Sequence, residues 1–232
     1  MLSVLKRISR VAVVIPFAAL LFAACDSDDG GPEVPSLGSA STYAILAGSA
    51  ISCVTGGSVG GDMGLSPGGA GSITGFPPCT ITGTQNAGNP AAAAAQLALT
   101  AAYNGLAGLP CGTTISADLG GTTLAPGVYC SASGINLTGP VTLSGSGTYV
   151  FQAGSALTVN TTASVVLANG AQARNVYWQV GSSATLGNGS AVQGSVVALT
   201  SITMGTTADL IGRALARNGS VSLGGTNTIT LP

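Results

Sequence analysis

From Gly134 to the end of the chain, short apolar runs alternate inward and outward positions, and Gly, Asn-Gly or Ser-Gly breaks each run within a few residues. A period of two marks a strand with one buried face, and such breakers mark turns. The runs also repeat. INLTG, LTVNTT, ATLGNG, ITMGTT and VSLGGT superimpose with Leu137, Val159, Leu186, Met204 and Leu223 in register, at successive separations of 22, 27, 18 and 19 residues. Self-similarity near twenty residues, with about three short strands per unit, predicts a β-solenoid. One coil cannot bury its own inner face, so the coils must stack.

Each unit supplies strands of three kinds. The first is the series above, the second is VTLSG, SVVLANG, SAVQG, ADLIG and NTITL, and the third is TYVFQA, NVYWQV, SVVAL and RALA. The third is apolar on both faces, notably at Tyr149-Val150-Phe151 and Val176-Tyr177-Trp178, so its outer face needs a cover. One segment can provide it. NPAAAAAQLALTAAYNGLAG predicts a helix over about 90–107, with Asn89 as cap, Pro90 at the first helical position and Gly105 or Gly108 at the end. Leu99, Tyr103 and Leu106 form its apolar stripe. The expected fold is all-β with one long helix, a solenoid of triangular cross-section with the helix packed along one side. The insertion near ANGAQARN accounts for the separation of 27, and the tail TNTITLP is expected to seal the end.

Alternation places Asn136, Thr158, Thr185, Thr203 and Ser222 in one outward column of the first series. Thr138 and Asn160, followed by Gly187, Gly205 and Gly224, form a second file. Threonine favours strands anywhere, and outward threonine is common in solenoids. What distinguishes this side is the missing lysine and glutamate that normally keep an exposed sheet soluble and unpaired.

Charge is scarce along the whole chain: 6% of residues are charged, none is histidine, and the net charge is −1. Beyond residue 35 the carboxylates are Asp62, Asp118 and Asp209, and the cations are Arg174, Arg213 and Arg217. No basic stripe exists for nucleic acid and no acidic cluster for calcium. General acid-base chemistry has almost no candidates, so neither catalytic residues nor a cofactor are expected, and the aspartates read as turn or surface groups.

The remaining charges mark a leader. Lys6, Arg7 and Arg10 precede the apolar run Val11 to Ala24, and LLFAAC ends at Cys25. This pattern predicts a signal peptide over 1–24. LLFAAC resembles the lipobox of bacterial lipoproteins, with Phe22 where leucine is usual, which implies lipidation of Cys25, export, and a membrane anchor at the cell envelope; the alternative is a simple signal peptide cut near Ala24 and a secreted protein. Residues 25–35, polar and acidic, read as a flexible tether, and 36–232 as the folded domain. Cys53, Cys79, Cys111 and Cys130 form an even set in an exported chain, which implies disulfides. Three pairings are possible. Cys53 with Cys79 and Cys111 with Cys130 are favoured, because each pair brackets a loop-rich segment. With no close CxxC spacing and no histidine, no metal site is expected.

LGSASTYAILAGSAIS, GGDMGLSPG, ITGFPP, LGGTTLAPGVY, VTLSGSGTYVFQAGSALTV, NVYWQVG and IGRALARN, in this order around one alanine-rich helix, together resemble the ice-binding protein family of cold-adapted bacteria, fungi and algae. The resemblance covers about Ser36 to Pro232. It implies a right-handed, discontinuous β-solenoid closed with strands from both chain ends. It also implies binding to an ice crystal surface through one flat sheet, with thermal hysteresis or inhibition of ice recrystallisation as the outcome. Carried over by position, the sheet adds Ser52 and Thr74 to the column. A monomer is expected. The competing expectation is a surface adhesin or structural solenoid that binds polysaccharide or protein.

Overall fold

The computed structural model describes residues 33–232; the expected leader and Cys25 lie outside them. The chain winds through parallel strands in three sheets, and one helix, Pro90–Ala107, lies along one side. The fold is mostly β. No helix among the described residues is long and apolar enough to cross a membrane.

A seven-stranded parallel sheet gathers the first series. Its order is Ile135–Leu137, Leu157–Val159, Ala184–Leu186, Ile202–Met204, Val221–Leu223, Ile51–Cys53 and Ile73–Thr74. Two N-terminal strands thus stack beyond the last C-terminal one. The same closure moves the tail. Thr228–Thr230 pairs with Asp209–Ile211 on one side and Ser58–Gly60 on the other, so TNTITLP lies within the stack and does not seal it. Backbone pairing is the reason, since the edge left open by the last C-terminal coil is filled by the N-terminal one. Ile73–Thr74 and Thr80–Ile81 lie at one end of the stack, and Thr113–Thr114 and Thr123–Leu124 at the other.

The helix links those two ends. Eight spacings of about 4.8 Å, between the nine strands from Thr80–Ile81 to Thr113–Thr114, make roughly 38 Å, and 18 residues at about 1.5 Å each make 27 Å. One helix therefore carries the chain back along most of the stack. Asn89 caps it, its side chain accepting from the Ala92 N–H at 2.9 Å. The buried stripe is wider than expected, since Ala92, Ala95 and Ala102 join Leu99, Tyr103 and Leu106. These small side chains bring the helix close to Val128, Val150, Val197 and Leu215 on the third series. Gln152 donates to the carbonyls of Leu106 and Leu109 at 2.7 and 3.0 Å, partnering groups that a helix end leaves open. Gly105 is not the terminus. A side chain there would strike the Pro35 ring, its Cβ only 2.4 Å from Cγ. Val34 packs against the same cluster.

The second and third series are not always separate strands. Ala191–Ala198 and Asp209–Ala216 each run unbroken from one side of the coil to the next, pairing Gly194 with Gly212. Gly194 turns the corner with φ of 104°, and a Cβ there would stand 2.5 Å from the Val176 carbonyl. Only glycine permits both the dihedral and the approach.

Inside, one residue per coil continues the same stack. Tyr129, Phe151 and Trp178 stack face to face, with centroids 5.4 and 4.0 Å apart. Their polar atoms are satisfied where present: the Tyr129 hydroxyl donates to the Ala125 carbonyl and the Trp178 indole N–H to that of Gln193. Disulfides join Cys53 to Cys79 and Cys111 to Cys130. They staple opposite ends of the stack, where an edge strand has a neighbour on one side only.

Candidate ice-binding sheet

Register along the seven-stranded sheet puts Asn136, Thr158, Thr185, Thr203, Ser222, Ser52 and Thr74 directly opposite one another in that order. Their chain neighbours point inward. Ile135, Leu137, Leu157, Val159, Ala184, Leu186, Ile202, Met204, Val221, Leu223, Ile51 and Cys53 are all buried. Thr185, Thr203 and Thr74 are exposed, and Asn136, Thr158, Ser222 and Ser52 are half-buried. Each coil thus anchors an outward hydroxyl or amide between two core residues, which leaves its backbone little freedom. Toward the Thr74 end of the column the Ser52 hydroxyl donates to the Ser222 hydroxyl at 3.1 Å. Strand spacing sets the repeat along the column at about 4.8 Å.

The second file is organised differently from the reading by alternation. Thr138 is exposed, but its hydroxyl donates to Asp118 Oδ2 at 2.7 Å. Asn160 is exposed at the start of a turn. At Gly187, Gly205 and Gly224 the chain has already left the strand. A Cβ would meet Thr161 N at 2.7 Å, Asn188 Oδ1 at 2.2 Å and the Met204 carbonyl at 2.9 Å respectively. The missing side chains point along the stack into the preceding coil, so these glycines are no gap in the outer face. They permit a tight turn that presents the next residue instead.

That next residue is a position that sequence reasoning passed over. Thr161, Asn188 and Thr206 are exposed three residues after Thr158, Thr185 and Thr203, and Asn188 Oδ1 accepts from the Thr206 N–H at 3.0 Å. The signal was present as Thr-x-x-Thr or Thr-x-x-Asn in three coils. In the Ser52 coil the corresponding segment is Val54-Thr55, with Val54 70% exposed. An apolar side chain left in water beside the hydroxyl column adds methyl groups to this side of the molecule.

No charged residue stands in the column from Asn136 to Thr74. The three aspartates of the described residues share one structural job, accepting a backbone N–H one coil away: Asp62 from Thr84 at 2.8 Å, Asp118 from Thr138 at 3.2 Å, and Asp209 from Thr228 at 3.0 Å. The Thr84 N–H above all holds the Asp62 carboxyl below its usual range, and the Thr138 hydroxyl does the same for Asp118. A depressed native pKa stabilises the fold above the unfolded carboxylate value and loses that stabilisation as pH falls through the native one. The melting temperature is therefore expected to stay level above about pH 5 and to drop below about pH 4, as followed by circular dichroism.

A model of the ice-binding-like family matches residues 45–230. The chain belongs to the ice-binding-like family. Among curated members it is 40% identical to an ice-binding protein of Nostoc sp. (strain HG1) over 94% of this chain and 81% of the relative. It is 33% identical to an ice-binding protein of Flavobacterium frigoris (strain PS1) over 86% and 77%. Its fold matches the crystal structure of an ice-binding protein from an Antarctic biological consortium with a TM-score of 0.84 and 42% identity, covering 87% of this chain and 93% of the other. The crystal structure of an ice-binding protein from the Antarctic ascomycete Antarctomyces psychrotrophicus matches with a TM-score of 0.81 and 35% identity, covering 86% of this chain and 99% of the other.

Proposed function

We propose that this protein adsorbs to ice through the seven-stranded sheet, and that it thereby lowers the temperature of ice growth or inhibits recrystallisation. The observation that carries the reading is the register-matched column from Asn136 to Thr74, a flat row of hydroxyl and amide groups held by buried neighbours. Relatives at up to 42% identity that carry the name ice-binding protein support it. Threonine methyls hold surface water in a cage while hydroxyls and backbone groups anchor it by hydrogen bonds, so the ordered layer merges with the ice lattice. Each match is weak. Many of them on one rigid plane act together, and ice then bulges between adsorbed molecules and stops growing.

The coils form a right-handed solenoid of triangular section in this reading, with Thr138, Asn160, Thr161, Asn188 and Thr206 flanking the main column at the sheet's corner. A monomer suffices, because one side carries the whole face. Lipidation at Cys25 after removal of residues 1–24 anchors the protein to the cell envelope, so the sheet acts where ice meets the cell. Sugar binding by stacking finds little support in the aromatic residues described: Tyr129, Phe151 and Trp178 are stacked in the core, and Tyr103 is buried on the inner face of the helix. The test is direct. Purified protein held with a single ice crystal just below its melting point is expected to facet the crystal and hold its size; a crystal that stays a rounded disc and grows freely would sink the proposal.

A further inference from the structure

We propose that Asp118 is the residue that bounds the ice-contacting face, ending the column at Asn136 and so setting how many coils engage the crystal. This rests on the reading of the seven-stranded sheet as the ice-binding side. Asp118 bridges to Asn136 in parallel register, which places it in the same column one coil further on. It is exposed. Every other member of that column is a neutral hydroxyl or amide. The remaining aspartates of the described residues stand elsewhere: Asp62 pairs with Tyr43 on the strand beside the helix, and Asp209 faces outward on the sheet that holds Thr228.

The carboxylate is fixed in place. Oδ1 accepts from the N–H of Gly120 at 2.9 Å and of Thr138 at 3.2 Å, and Oδ2 from the Thr138 hydroxyl at 2.7 Å. Two consequences follow. An ionised oxygen binds its first shell of water far more strongly than a hydroxyl does and orients it around the charge, so the lattice-matched layer cannot extend over this coil without a desolvation cost. The Thr138 hydroxyl proton is also committed to the carboxylate, so that hydroxyl has no proton left to donate to the ordered water layer. The same bonds hold Thr138 and the turn at Gly120 together, so the charge doubles as an end-cap for the stack.

Asp118→Asn keeps the size and the acceptor oxygen for the N–H groups of Gly120 and Thr138, removes the charge, and puts an amide N–H where Oδ2 stood, so the Thr138 hydroxyl accepts there and its proton is freed. The expected result is that half-maximal recrystallisation inhibition is reached at a two- to tenfold lower concentration, about what one added net hydrogen bond gives. Asp209→Asn is expected to match the parent protein, and Asp118→Glu to show no gain. Thr203→Tyr, assayed beside them, reports on the underlying reading. Loss of activity in that variant, with Asp118→Asn equal to or weaker than the parent, overturns the boundary role and leaves the ice-binding sheet standing. Full activity in Thr203→Tyr removes the sheet and this proposal with it. If Asp118→Asn fails to fold, as judged by circular dichroism, Asp118→Ser gives the same readout, because its hydroxyl can still accept from the Gly120 N–H.

Discussion

Thr185→Tyr and Thr203→Tyr, made together, are expected to abolish ice-crystal shaping and thermal hysteresis while leaving the melting temperature within about 3 °C of the parent. The two residues face each other on adjacent strands, both exposed and both flanked by buried residues. Two phenol rings placed there would stand several ångströms above the row of hydroxyls and hold the crystal off every coil at once. The core would not register them, because no core atom touches an outward side chain, and surface changes of this kind commonly cost under about 0.5 kcal/mol each. Tyrosine also suits a strand. A nanolitre osmometer measures the gap between melting and growth, and retained hysteresis in a folded double variant would show that another side of the molecule meets ice.

Trp178→Ala has its effect in the opposite place. The indole is 1% exposed, stacks on Phe151 at 4.0 Å with planes 10° apart, and donates to the Gln193 carbonyl at 2.9 Å. Truncation opens a cavity inside one coil, breaks the aromatic stack and leaves that carbonyl without its partner. Such changes cost about 3–5 kcal/mol, which for a chain of this size lowers the melting temperature by roughly 6–20 °C. Calorimetry should show the shift, and below the transition the variant is expected to shape ice, because Trp178 lies on a different sheet from the hydroxyl column. Loss of ice activity in the folded variant would mean that the flatness of the face depends on the core beneath it.

The two variants divide the molecule along a line already visible in the repeat. Within one coil, Thr203 and its flanking Ile202 and Met204 are distinguished by alternation alone, and a strand's period of two leaves no other assignment once the face is known. Repeat length, helix position and the Asn89 cap follow from patterns spanning only a few residues. The same holds for the column from Asn136 to Ser222. Ser52 and Thr74 did not follow from the repeat, because their coils precede the helix, and resemblance to a family was needed to place them.

What local pattern could not supply depends on contacts between coils. Gly187, Gly205 and Gly224 read as outward positions because alternation was continued past the strand end, whereas the preceding coil fills that space. The tail looked terminal because it is last in sequence, yet closure of the stack by N-terminal coils puts Thr228–Thr230 between two other strands. Asp118 looked like a turn residue, which its bond to the Gly120 N–H makes it, but only the bridge to Asn136 reveals that it also stands in the column. By itself the sequence determined which residues within each first-series strand face out, since that depends on neighbours one or two positions away. The tertiary structure alone decided the order in which coils stack, and with it which residues sit at the ends of the face, because strand pairing is indifferent to how far apart its partners lie along the chain.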